Sequence, residues 1–239
     1  MTKFEQIDKK YFEQRKHFSE KYGLREIWDV IDHWPLYCGI TNLSIRLTIS
    51  DLLRSTFNVP GHVAEFGSWR GTNVLFMAKL LRIFDPHGSK IVHCFESFKG
   101  LNTFKKEDKN AVKFKGKYRG SFKELSDVIS LYEMNDEIVI HKGLIEKKLP
   151  QAIREDKSLM FSFIYCDVDF YKPTKVILNL VHDRLSKGGL LVFDEWNNTD
   201  FPGEGQAVNE FLKKYGHKYQ MRHVPYSRKP SLVLKKIEF

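Results

Sequence analysis

The sequence predicts an α/β protein: a doubly wound, Rossmann-like sheet of seven strands, the last antiparallel, preceded by an N-terminal helical cap. Three observations carry that expectation. From about residue 60 onward, short apolar runs alternate with longer amphipathic stretches, the pattern of βαβ units around a mostly parallel sheet. The chain has 239 residues, of which 42% are hydrophobic and 14% aromatic, enough to bury one large core. The last two apolar runs are joined by too few residues for a crossover helix, and a parallel return needs about a dozen or more, so the final strand must come back antiparallel.

The elements follow in order. Polar-faced helical segments are expected at about 3–22, 24–32 and 42–57, and Asn58-Val59-Pro60-Gly61 then turns the chain into the first strand. Strands are expected at His62–Phe66, Ile91–Phe95, Ile138–His141, Phe161–Asp167, Gly189–Asp194, Tyr219–Val224 and Leu232–Ile237. Helices are expected at about 72–84, 121–132, 146–155, 173–186 and 204–215 between the first six. Residues 1–58 thus form the cap and residues 59–239 one α/β domain.

Composition narrows the function classes. No apolar run approaches the roughly 20 residues that span a bilayer. The opening MTKFEQIDKKYFEQRKHF lacks the apolar core of a secretory signal, so a cytoplasmic protein without a membrane partner is expected. Cys38, Cys94 and Cys166 are odd in number, widely spaced and without a CxxC, which supports neither a disulfide framework nor a zinc site. The formal charge of +9 suits an anionic partner. Much of it has a local source: Lys99, Lys105, Lys106, Lys109, Lys113, Lys115, Lys117, Arg119 and Lys123 lie in one stretch with only Glu107 and Asp108 opposing them.

In open α/β sheets ligands bind beyond the carboxyl ends of the strands, and four such ends are acidic here: Glu65, Glu96, Asp167 with Asp169, and Asp194 with Glu195. A lone acid at a strand end is usually a helix cap; four on one rim require a cation, a proton or a ligand. Gly67 and Gly71 in EFGSWRG let a ligand approach the backbone of the first strand-to-helix turn. The segment is no phosphate loop, since it lacks both GxxxxGK[ST] and a full GxGxxG. A carboxylate at Glu96 can accept hydrogen bonds from both hydroxyls of a ribose, which favours adenosine without a pyrophosphate. Asp167, Asp194 and Glu195 offer hard oxygen ligands to Mg²⁺, or alternatively Mn²⁺ or Ca²⁺. Asp169 can serve as general base toward a hydroxyl held beside them. His62, His93 and His141 lie in or beside strands without a visible catalytic partner and read as structural, and Cys166 reads as core.

The matching pieces VPGHVAEFGSWRGTNVLFMAKLL (Val59–Leu81), ESFKGL (Glu96–Leu101), KGLIEKKLP (Lys142–Pro150), YCDVDFYKPT (Tyr165–Thr174), LSKGGLLVFDEW (Leu185–Trp196) and PGEGQAVNEF (Pro202–Phe211) carry a resemblance. Over about two-thirds of its length the chain resembles the macrocin, mycinamicin and novobiocin sugar O-methyltransferase family, class I enzymes using S-adenosylmethionine and Mg²⁺. The resemblance implies the methyltransferase form of the seven-stranded sheet. It implies that Glu65 and Gly67 border the methionine portion of the cofactor and that Glu96 and Ser97 hold its ribose. Asp167, Asp194 and Glu195 fall where the family places metal carboxylates, and Asp169 where it places the base. The family usually has aspartate at positions 96 and 195 and serine at position 173, where this chain has Glu96, Glu195 and Pro173.

The expected activity is therefore methyl transfer to a hydroxyl of a sugar or glycosylated small molecule, nucleotide-linked or from a surface polysaccharide. The alternatives are a catechol-type O-methyltransferase, distinguished by two adjacent aromatic hydroxyls in its substrate, and an RNA-binding or RNA-methylating protein, against which the acidic rim argues. The basic stretch, interleaved with Phe98, Phe104, Phe114, Tyr118 and Phe122, is expected to form a lid that attracts an anionic small-molecule substrate. The N-terminal helices would either cover the active site or pair copies in a homo-oligomer.

Overall fold

The computed structural model describes residues 27–102 and 104–238, together with residues 5, 6, 9, 10, 13 and 20. The expected helix at 3–22 lies largely outside the described residues. Among the continuously described residues, the helices α1 (Ile27–Asp32), α2 (Trp34–Tyr37) and α3 (Ile40–Arg54) precede the sheet. The alternating unit follows as β1 (His62–Phe66), α4 (Thr72–Phe84), β2 (Val92–Glu96), a 3₁₀ helix over Lys106–Phe114, α5 (Phe122–Leu131), β3 (Ile138–Lys142), α6 (Ile145–Glu155), β4 (Phe161–Cys166), α7 (Tyr171–Val181) and β5 (Leu185–Phe193). The chain closes with α8 (Pro202–Tyr215), a 3₁₀ turn over Gly216–Lys218, β6 (Tyr219–Arg222) and β7 (Leu232–Lys236).

The strand order is β3-β2-β1-β4-β5-β7-β6. The first five strands pair parallel, and β7 runs antiparallel to both β5 and β6. The direction of winding reverses between β1 and β4, which opens a crevice at their carboxyl ends. Register then aligns the loops that leave these strands. Phe66 stands opposite Phe95 and Cys166, and Cys166 opposite Phe193, so the residues after β1, β4 and β5 emerge side by side.

The strands are apolar on both faces because both are covered by helices. On one face Val63, Cys94, Phe163, Tyr165 and Val192 pack with Ile49 and Leu53 of α3, Met77 and Leu81 of α4, and Leu125 and Ile129 of α5. On the other, Ala64, Phe66, Phe95, Ile164, Cys166 and Phe193 pack with Leu149 of α6, Ile177 and Val181 of α7, and Val208 and Phe211 of α8. Truncating a fully buried aromatic such as Phe163 would cost about 3–5 kcal/mol. Cys94 and Cys166 are buried and Cys38 half-buried, all three as free thiols.

Several boundaries depart from expectation. The helix expected to run to residue 186 ends at Val181, and β5 begins at Leu185 rather than Gly189. Leu185 already pairs with Phe161, and the register slips between Phe161 and Phe163, so β5 absorbs the Gly188 kink without ending. The buried Lys236 ammonium donates to the carbonyls of His182 and Leu185, which closes the helix and starts the strand. The expected β6 is likewise shorter, ending at Arg222.

The three strand histidines are structural. His62 Nδ1 accepts from Ile91 N–H, and His93 and His141 join ring to ring at 3.0 Å between Nδ1 and Nε2. Burial, followed by the neighbouring His141 and His62, pushes His93 down to about 3. The folded protein thus keeps His93 neutral between pH 6.5 and about 3, where the unfolded chain binds a proton, so this group makes stability fall as the pH drops below 6.5. A shift of one unit corresponds to about 1.4 kcal/mol. Urea denaturation should show the wild type losing about 1–2 kcal/mol more between pH 7 and pH 5 than His93→Leu does; equal losses would contradict this account.

Candidate active site

Beyond the carboxyl ends of β1, β2, β4 and β5 lies a cavity of about 700 Å³. All the site residues expected from the sequence line it: Glu65, Gly67, Glu96, Ser97, Asp167, Asp169, Asp194 and Glu195. They divide into two groups.

The first group surrounds the β1 turn. Gly67 has φ +82°, and a Cβ there would stand 1.9 Å from the carbonyl oxygen of Asp167. The glycine is required by the close approach of the β1 and β4 chains, a reason that motif reading did not supply. Glu65 is buried and accepts from Asn73 Nδ2 at 2.7 Å. Burial raises its pKa to about 7 against the lowering effects of Asn73, Ser68 and Arg46. Among the described residues its Oε2 has no hydrogen-bond partner. Glu96 accepts from Trp69 N–H at 2.8 Å through Oε2, and through Oε1 from Phe98 N–H at 2.7 Å and Ser97 Oγ at 3.2 Å. It therefore ties the loops after β1 and β2 together and retains about one of a carboxylate's roughly four acceptor positions for a ligand.

The second group is the acid cluster. Asp167 is raised well above the usual carboxylate range by burial and then by Asp194, with Lys229 opposing. Asp169 is raised to about 7 by burial and by Glu195, again against Lys229. Asp194 accepts from Tyr165 Oη at 2.5 Å and from Lys229 Nζ. Lys229 Nζ also lies 2.7 Å from Glu195 Oε1, and Asn198 Nδ2 donates to Glu195 Oε2. The buried Glu204 accepts from Glu195 N–H at 2.8 Å and fixes the backbone after β5. The donor chemistry of Asp167, Asp194 and Glu195 fits a hard divalent cation. In this arrangement, however, no three His, Cys, Asp or Glu side chains among the described residues gather closely enough to share one, and the ammonium of Lys229 bridges Asp194 and Glu195.

Sequence reading missed Lys229, Tyr165, Glu204, Asn73 and Trp69. Lys229 sits in the β6–β7 connection with no spacing signal, and Tyr165 looked like one more apolar strand residue. Backbone geometry was available as a signal only after folding: Trp69, Phe98, Tyr118 and Asp169 are non-glycine residues with positive φ, and Trp69, Tyr118 and Asp169 line the cavity. Such conformations concentrate at functional sites.

The middle of the basic stretch packs by aromatic contacts as a cover on Phe170 and Phe201, which line the cavity, and its two ends line the cavity themselves. Phe104 packs on Phe170 at 5.0 Å and Phe114 stacks on Phe201 at 5.0 Å. Asp108, buried, accepts from Lys105 N–H at 2.9 Å and from Tyr171 N–H at 2.8 Å, pinning the 3₁₀ helix to the start of α7. Lys113 pairs with Asp200 at 2.5 Å. Lys99, Gly100, Leu101, Asn102 and Tyr118 face the cavity, whereas Lys113, Lys115 and Lys117 do not line it.

The sequence model of the Macrocin-O-methyltransferase (TylF) family matches residues 45–227. The demethyldecarbamoylnovobiocin O-methyltransferase of Streptomyces niveus is 26% identical over 220 residues, 84% of this chain and 79% of that protein. The mycinamicin III 3''-O-methyltransferase of Micromonospora griseorubida is 25% identical over 168 residues, 66% of this chain and 63% of that protein. Among solved structures, the calicheamicin methyltransferase CalS11 superposes with a TM-score of 0.80 at 24% identity, covering 93% of this chain and 90% of that one. The O-methyltransferase NovP gives 0.70 at 20% identity, covering 81% and 79%. Both share the fold described above.

Asp108→Ala leaves two backbone N–H groups without their acceptor and should destabilise the protein by about 2–3 kcal/mol. Limited proteolysis should then cut within residues 99–119 faster than in the wild type; unchanged cleavage there would show that the cover is held by its aromatic contacts alone.

Proposed function

The chain belongs to the macrocin O-methyltransferase family, and from that premise we propose that it transfers a methyl group from S-adenosylmethionine to a hydroxyl of a sugar or glycosylated small molecule. The observation that carries this reading is the division of one cavity between Glu65 with Glu96 on one side and Asp167, Asp169, Asp194 and Glu195 on the other. The names of the relatives support it: one acts on mycinamicin III, and CalS11 is also described as a TDP-rhamnose 3'-O-methyltransferase.

The cofactor, when bound, supplies a methyl group on a sulfonium with a thioether as leaving group. Glu65 Oε2 would accept from its ammonium group, and Glu96 with Ser97 would hold its ribose hydroxyls. Asp167, Asp194 and Glu195 would hold Mg²⁺, which when bound lowers the pKa of an adjacent hydroxyl. Asp169, buried beside them, would accept the proton of the acceptor hydroxyl as its oxygen attacks. The aromatic cover would exclude water, and orienting the acceptor hydroxyl for attack would contribute up to roughly 7–11 kcal/mol. Lys99 and Lys172 at the cavity favour an acceptor carrying phosphate or carboxylate. We place the reaction in the cytoplasm, in keeping with the free thiols; among the described residues no helix is long and apolar enough to cross a membrane.

Thermal-shift titration tests the cofactor half. S-adenosylhomocysteine at about 100 times its Kd should stabilise the wild type by about 2.7 kcal/mol, and Glu96→Ala should lose most of that shift; no shift in the wild type would overturn the reading. Asp169→Asn should keep cofactor binding and lower kcat by about 10²–10⁴-fold. An Asp169→Asn enzyme with wild-type kcat would remove Asp169 as the base.

A further inference from the structure

The ammonium of Lys229 stands between the two carboxylates that follow β5 in the acid cluster. The place of that ammonium decides how a metal could join them. Asp194 Oδ1 accepts from Tyr165 Oη and Oδ2 from Lys229; Glu195 Oε1 faces Lys229 at 2.7 Å and Oε2 accepts from Asn198. Each of the four oxygens therefore has a protein donor, and one oxygen of each carboxylate shares the same ammonium. A magnesium ion demands oxygens at about 2.0–2.1 Å in near-octahedral geometry. An ion meeting Asp194 and Glu195 at that distance would take the space between them that the ammonium fills, and the two cations would repel at close range.

The lysine is delivered to this place by its backbone. Ser231 N–H donates to Phe193 O at 2.9 Å, and Ser231 Oγ accepts from Trp196 N–H at 2.7 Å, so the β6–β7 connection is fastened on both sides of Asp194 and Glu195. Ser227 Oγ donates to Lys229 O at 2.6 Å, fixing the turn from which the side chain leaves. The side chain is three-quarters buried, at 25% exposure.

We propose that Lys229 is a built-in counter-cation occupying the seat of the metal, and that a divalent ion enters the cluster by displacing it. The inference rests on the metal-assisted reading of the site and goes beyond it: Lys229 opposes metal binding and sets its affinity, and it keeps the cluster compensated when no metal is present.

The test uses the full chain and Mn²⁺ alone, with free Mn²⁺ followed by electron paramagnetic resonance. Lys229→Met, which removes the charge and keeps much of the length, should bind Mn²⁺ at least about tenfold more tightly than the wild type. Lys229→Arg should stay within about threefold of it, and Asp194→Asn should abolish binding in either background. Equal or weaker binding by Lys229→Met overturns the proposal, as does absence of Mn²⁺ binding in both proteins. A second measurement needs no variant. Reductive methylation of wild-type Lys229, read by peptide mass spectrometry, should increase when Mn²⁺ is added; unchanged or reduced labelling overturns the proposal. S-adenosylhomocysteine binding, measured in parallel, reports separately on the methyltransferase reading, because its loss would leave the competition between Mn²⁺ and Lys229 intact.

Discussion

Removal of negative charge from water is the constraint around which this protein's functional edge is built. Asp167, Asp169, Asp194, Glu195 and Glu204 all come to the carboxyl ends of β4 and β5 or the start of α8, and Asp194, Glu195 and Glu204 are buried at 3%, 8% and 0% exposure. Like charges at such spacing are tolerated only with protons, hydrogen-bond donors or a cation among them. The surrounding structure supplies all of these. Tyr165 from the middle of the sheet, Asn198 from the turn after β5 and the Glu195 backbone each meet one of the five, and the Lys229 ammonium meets two. The path of the β6–β7 connection, which must return antiparallel to bring Lys229 back over β5, answers the same requirement.

The Glu65 and Glu96 side of the cavity obeys a different rule. There Glu96 spends most of its acceptor capacity on two backbone N–H groups and the Ser97 hydroxyl, and one glycine permits two chains to touch. Glutamate at this position, one methylene longer than aspartate, reaches both Trp69 and Phe98 across the gap between two loops. The consequence is a preformed rim: the groups expected to meet a ligand are already held by the fold before it arrives.

Much of this was readable before folding was considered. The 62–66 strand and the 72–84 helix are where the alternation of apolar runs put them, since burial on both sheet faces imprints a continuous apolar segment and a one-sided helix imprints a stripe. The acids were legible because strand ends are countable in sequence. What was not legible depended on contacts between distant segments. The early start of β5 depends on Lys236, 51 residues beyond Leu185. Lys229 reaches Asp194 across 35 residues. The cover's anchor, Asp108, reads in sequence as one of two acids diluting a basic run, and only the approach of Tyr171, 63 residues on, gives it a partner.

The left-handed backbone at Trp69, Phe98, Tyr118 and Asp169 has a bearing on how this scaffold can be engineered. A non-glycine residue in such a conformation carries of order 1–3 kcal/mol of strain, so substitution by glycine or asparagine at these positions would relax the chain. Selection for heat resistance alone would thus be drawn toward Asp169 and Tyr118, and would alter the lining of the cavity while improving the fold. Libraries aimed at a hardier enzyme are better directed to Glu133, whose positive φ lies outside the residues lining the cavity. There relief of strain and retention of activity do not compete.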